Sequence, residues 1–121
     1  MNPAFLNTLL DEATKGFRSG GPFAYHYARG KLGTDPIFRE MLRRGLLPAG
    51  GRLLDLGCGQ GSLFAWLLAA HHLHQQGQWP GDWPAPPNFR SLRGIELMQN
   101  DVDRAAETFG RDHPVVKVEQ G

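Results

Sequence analysis

The sequence predicts an α/β fold, with helices first and then a mostly parallel sheet laid down in the order β-α-β-α-β. Three observations predict it. The first fifty residues carry apolar side chains at helical spacing between Gly- and Pro-rich breaks. The remainder carries three short apolar runs, separated by segments that alternate as helices do. A cluster of glycines, Gly57-Cys58-Gly59-Gln60-Gly61, stands where the first of those runs meets the next helix.

The elements follow in order. From Asn2 to Phe17, Phe5, Leu6, Leu9, Leu10 and Ala13 recur on one helical face, and Ser19-Gly20-Gly21-Pro22 breaks the pattern. Phe23, Tyr25 and Tyr27 alternate within Phe23 to Arg29. That spacing fits a short helix, the slightly favoured reading, or an extended segment. Asp35-Pro36 reads as a helix start, the Asp capping and the Pro at the first helical position. Phe38, Met41, Leu42 and Leu46 form the stripe of that helix, which Pro48-Ala49-Gly50-Gly51 ends. Arg52 to Leu56 is a compact apolar run, expected to be a strand buried on both faces. Ser62 to His72 reads as a helix, Gln75 to Asn88 as a Trp- and Pro-rich loop, and Leu92 to Leu97 as a second strand. Asp101 to Phe109 is a helix stopped by Gly110, and Val115 to Glu119 a third strand. Residues 1–50 thus form a helical cap segment and residues 51–121 the sheet-bearing part of one domain.

Composition excludes several classes. A single Cys in 121 residues leaves no disulfide framework and no Cys-cluster zinc site, which fits a reducing, cytoplasmic setting. No stretch approaches the ~20 consecutive apolar residues of a membrane span, and Asp11, Glu12 and Lys15 interrupt the first segment as no secretory signal would allow. Residues 1–60 carry a net charge of +3 and 61–121 of −2, too small an asymmetry for a nucleic-acid surface. The expected partners are a small-molecule substrate, with neither nucleic acid nor membrane.

The chemistry lies in Leu53-Leu54-Asp55-Leu56-Gly57-Cys58-Gly59-Gln60-Gly61. Glycines at a strand-to-helix turn let a ligand approach the backbone, and the helix that follows offers free N–H groups and a positive dipole end. Glu96, at the end of the next strand, is placed to accept hydrogen bonds from both hydroxyls of a ribose. A dinucleotide fingerprint would need Gly at position 62, where the chain has Ser62. Asp55 beside the loop would repel a pyrophosphate but suits an ammonium group. A zwitterionic, non-phosphorylated nucleotide such as S-adenosylmethionine meets those conditions.

Asp55 to Gly61, followed by Gly94-Ile95-Glu96-Leu97, resembles the first two signature motifs of class I S-adenosylmethionine-dependent methyltransferases, over about residues 52 to 121. The resemblance implies a Rossmann-like three-layer α-β-α domain that binds S-adenosylmethionine. It places Gly57, Cys58, Gly59 and Gly61 under the methionine part, Asp55 near the amino group, Glu96 on the ribose diol, and Leu97 or Met98 on the adenine. The aromatic segment before the first strand resembles the cofactor-covering helices of several subfamilies, which makes Tyr25, Tyr27 and Lys31 candidate contacts. The Gln75–Asn88 loop departs from the family in its length and composition. The sequence stops short of the acid or amide that usually follows the third strand, and of the fourth strand. The expectation is therefore the cofactor half of a larger enzyme, with an incomplete sheet whose first strand is an exposed edge open to self-association. Other coverings of that edge are the N-terminal helices or a paired second copy.

Blander readings stand beside these. Cys58 has no His or Asn in a recognisable relation and reads as a small buried loop residue. His71, His72 and His74 lack a further ligand type and read as a solvated helix end. Trp79 and Trp83 read as a loop packed on its own side chains. No catalytic base can be named, His26 and Tyr25 being the nearest candidates. Two further functions stay open: a non-catalytic S-adenosylmethionine-binding or regulatory module, and a fragment of a dinucleotide-dependent oxidoreductase.

Overall fold

The computed structural model describes residues 3–110 and 112–121. Its first helix, α1 (Pro3–Thr14), buries Leu9 and Ala13 and ends where the Thr14 hydroxyl donates back to the Leu10 carbonyl at 2.6 Å. The predicted start at Asn2 lies outside the described residues. The predicted continuation to Phe17 is instead a 3₁₀ segment, Lys15–Gly20, which keeps Phe17 buried with its ring edge-on to Phe109. Gly21, at φ 96°, makes the turn into α2 (Pro22–Thr34), whose first residue is the proline. This helix is longer than the short segment the sequence suggested. Its aromatics resolve by helical spacing, with Phe23 stacked on Tyr27 and Tyr25 turned elsewhere. Helix α3 (Pro36–Arg43) is capped as expected: the Asp35 carboxylate accepts from the Ile37 N–H at 3.1 Å.

Three strands follow, β1 (Gly50–Leu56), β2 (Asn88–Glu96) and β3 (Val116–Gln120), with α4 (Ser62–Gln75) and α5 (Gln99–Phe109) between them. The sheet is parallel throughout, in the order β1-β2-β3. The fold is thus the α/β class read from the sequence, with helices ahead of a parallel sheet. Element ends move by a few residues. Among the strands the largest change is in β2, which starts at Asn88 rather than Leu92, with Phe89 already facing the core. It also closes at Glu96, so Leu97 falls outside the strand.

Register fixes which side chains share a face. Leu53, Leu92 and Val116 stand abreast, then Asp55, Gly94 and Val118, and these alternate with Leu54-Arg93-Lys117. The first set packs into the core with Phe64, Ala105 and Phe109. Beneath α1 the core is completed by Trp66, wholly buried, whose indole N–H donates to the Phe38 carbonyl at 2.8 Å and ties α4 to α3. The second set is open. Leu54 is 56 % and Leu56 73 % exposed, which corrects the expectation that β1 is buried on both faces. Its apolar composition is that of a two-sided strand, but the described helices pack on one side. The loop after α4 packs only in part on itself: Trp79 and Trp83 meet edge-on, and the Trp79 N–H donates to the Pro84 carbonyl. Both rings also pack edge-on against Phe5 of α1, which corrects the expectation of a loop packed on its own side chains alone.

Candidate ligand site at the carboxyl ends of β1 and β2

The loop Gly57–Gly61 leaves β1 and enters α4 over the carboxyl end of the sheet. Gly57, Gly59 and Gly61 all have positive φ (77°, 58° and 88°), a region that costs side-chain-bearing residues energy. They differ in what surrounds them. A Cβ on Gly61 would lie 2.6 Å from the Phe109 ring, so this glycine is required by packing. A Cβ on Gly57 or Gly59 would meet nothing within 4 Å. Those two glycines therefore form an open shelf.

The loop is held from beneath. The Gly57 N–H donates to the Ile95 carbonyl at 2.8 Å, and the Gly59 N–H to one oxygen of the Glu96 carboxylate at 2.9 Å. The other Glu96 oxygen accepts from the Met98 N–H at 2.7 Å. These backbone donors, Met98 before Gly59, hold the Glu96 carboxyl below its ordinary value, and Lys31 adds to the effect. The Leu97 N–H adds to the same effect, so the carboxylate is held by the backbone of both the glycine loop and the segment that follows β2. Gly94 must be glycine for the same assembly, since a Cβ there would lie 2.4 Å from the Cys58 sulfur.

Asp55 behaves differently. It is half-buried, and no hydrogen bond is made to its carboxylate among the described residues. Burial raises its pKa above the ordinary value, and Lys31 of α2 partly opposes that rise. Cys58 is buried, and its thiol is pushed up to about 11, chiefly by burial and then by Asp55 and Glu96. A thiol so protonated is no nucleophile, in keeping with its reading as a packing residue.

The structure thus brings Asp55, Gly57, Cys58, Gly59, Gly61 and Glu96 together around one shelf. Leu97 and Met98 stand at its edge, 71 % and 57 % exposed. Tyr25 is not among them; its hydroxyl accepts from Arg18, whose guanidinium also lies over its ring. The histidines of α4 make no metal site, and no group of three or more metal-ligating side chains occurs among the described residues. One contributor was missed in the sequence. Gln60, buried, donates to the Ala24 carbonyl at 3.0 Å and so fastens the loop to α2. A polar residue between two glycines gives no hint of so distant a partner. A cavity of about 330 Å³ between α1, α4 and α5, lined by Glu12, Ala69, Thr108 and Phe109, includes none of the loop residues.

Comparison with known families adds one finding. The family model described as "Methionine biosynthesis protein MetW" matches residues 38–119, which span α3 and nearly the whole sheet-bearing part. No curated protein matches the chain.

Proposed function

The chain belongs to the MetW family, whose members are methyltransferase-like, and on that premise we propose that it binds S-adenosylmethionine at the shelf and presents it for methyl transfer to a small molecule. The observation that carries the reading is the pair of carboxylates, Asp55 and Glu96, flanking two glycines whose outer side is open. Asp55 has no hydrogen-bond partner among the described residues and suits an ammonium group or its ordered water. Glu96 is an ionised acceptor fixed in place by the Gly59 and Met98 N–H groups, at the end of β2 where a ribose diol could donate to it. Leu97 and Met98 offer exposed apolar surface to an adenine. The absence of a third Gly at position 62 and the acid at 55 speak against a pyrophosphate-containing dinucleotide.

Asp55, Gly57, Gly59 and Glu96 would hold S-adenosylmethionine, which would supply a methyl group activated by its sulfonium. The protein's own part is to orient and to keep water out. Gly57 and Gly59 allow close backbone approach, and the fixed Glu96 carboxylate sets the ligand's position along the shelf. Among the described residues the acids of the shelf are Asp55 and Glu96, both assigned to the ligand, so the acceptor's nucleophile has no proton to lose or passes it to solvent.

Calorimetric titration with S-adenosylmethionine, S-adenosylhomocysteine and NAD tests the proposal. Heat with both sulfur ligands and none with NAD is expected. Binding of NAD alone would overturn the assignment, and no binding of any would reduce the chain to the family's fold without its ligand.

A further inference from the structure

Tyr27, expected from the sequence as a cofactor contact, is paired in the structure with Phe23. Phe23 and Tyr27, one turn apart on α2, stack at 6.0 Å and 21°, yet are 68 % and 53 % exposed. Large rings that stay this exposed, even with the Arg104 guanidinium over Phe23, mark a surface that something apolar covers. Three contacts place the pair at the rim of the ligand shelf. Gln60 of the glycine loop is bonded to Ala24, between them in sequence. Lys31, one turn beyond Tyr27, acts electrostatically on both Asp55 and Glu96. Arg104, on α5, holds its guanidinium 5.2 Å from the centroid of the Phe23 ring. From Phe23 to Tyr27 the two rings span about 6 Å along α2 by the helical rise.

We propose that Phe23 and Tyr27 are the acceptor platform of this site. The methyl acceptor has a flat apolar body that lies on the two rings, and a carboxylate end that meets the Arg104 guanidinium. Arg104 gives one nitrogen to Asp101 at 2.9 Å; the rest of its planar donor set stays available beside the ring it covers. Donors at that end and bare rings along α2 select an acceptor that is apolar along its length and accepts hydrogen bonds at one end. The platform comes from α2, whereas the groups assigned to S-adenosylmethionine come from the ends of β1 and β2, so the two ligands are held by different elements. The inference rests on the S-adenosylmethionine reading, because it takes the shelf to be filled by that ligand.

The test uses the full chain, saturated with S-adenosylhomocysteine, and titrates 2-naphthoate against 2-naphthamide by calorimetry. Naphthoate should bind at least fivefold more tightly than the amide. Phe23→Ala and Tyr27→Ala should each weaken naphthoate at least fivefold, and Arg104→Gln should bring acid and amide level. S-adenosylhomocysteine affinity should stay the same in all three variants, and circular dichroism should show each one folded. Naphthoate binding that ignores Phe23 and Tyr27, or no naphthoate binding at all, overturns the platform. So does a Phe23→Ala variant that loses S-adenosylhomocysteine, since the stack would then hold that ligand's own adenine. If the parent chain fails to bind S-adenosylhomocysteine, the earlier reading falls, and naphthoate titrated alone still decides whether the stack binds flat anions.

Discussion

On one face of the sheet Leu53, Leu92 and Val116 stand in a row and pack into the core, while the row behind them, Leu54, Arg93 and Lys117, faces outward with Leu54 and Leu56 largely exposed. The same three strands thus make a packed face and an open one. The difference teaches where the ligand site gets its geometry. Asp55 shares the parity of Leu53, and Glu96 that of Leu92 and Gly94. Both acids therefore belong to the packed face, one step beyond the point where the helices cover it. Slipping either strand by one residue would expose the core leucines and turn the acids to the open side together.

The largest test of that contrast is in the core. Trp66→Ala removes a wholly buried ring and its hydrogen bond to Phe38, and should cost about 3–5 kcal/mol of unfolding free energy. Leu54→Ala, on the open face, should change the same urea transition by no more than ~0.5 kcal/mol. Equal losses from the two substitutions would mean that something in solution covers both faces alike.

A smaller effect is expected where the packed face ends. Glu96→Ala should weaken S-adenosylhomocysteine by about 1.5–3 kcal/mol, the range for hydrogen bonds to a charged group, and calorimetry reads it directly. Unchanged affinity would show that the ribose lies elsewhere. Part of the loss comes from the Gly59 and Met98 N–H groups, which lose their common acceptor.

The two acids should also differ in their response to pH. The Glu96 pKa is lowered in the folded protein, so its contribution to stability is present above the ordinary carboxylate range and is lost as pH falls through the lowered value. The Asp55 pKa is raised, so stability falls as pH rises from the ordinary carboxylate value through the raised one, and the loss is complete above it. Asp55→Asn should therefore leave the unfolding temperature at pH 7 equal or higher, while weakening S-adenosylhomocysteine by about 1 kcal/mol, as for a half-exposed charge pair. In the parent chain, that affinity should fall away on acidification at a higher pH than an ordinary Asp would give. Thermal scans and titrations from pH 4 to 7 would read both signs. A lower unfolding temperature for Asp55→Asn would break the contrast between the two carboxylates.

Much of this arrangement was legible in the chain itself. Asp35-Pro36 announced its helix because cap and proline act within three residues, and the glycine loop stood out because positive φ leaves a compositional trace. Glu96 was placed by its position at the end of an apolar run. What escaped was set by partners far away in sequence. The open face of β1 could not be read, since Leu54 and Leu56 look like core residues until the helices choose a side. The alternating aromatics of Phe23 to Tyr27 fit two spacings, and only the length of α2 decided between them. Gln60 lies 36 positions from Ala24, a distance over which local pattern carries no information.

The smallest effect on stability and the clearest on behaviour should come from the open face. Strand β1 is hydrogen-bonded on one side only, as the first strand of the order β1-β2-β3, and its outward residues Leu54 and Leu56 are apolar. An unpaired strand with such side chains is a template for another copy of itself. Two copies paired antiparallel about Leu54 would set Leu54 against Leu54 and Arg52 against Leu56, joining two sheets with their packed faces on the same side. Leu56→Lys should hold unfolding free energy within about 0.5 kcal/mol of the parent, because the residue touches little within its own chain. It should nonetheless shift sedimentation of a concentrated sample from a self-associating species toward the single chain. A parent that sediments as a single chain at every concentration would show that the edge is protected without a partner copy, and the open face would then be merely solvated.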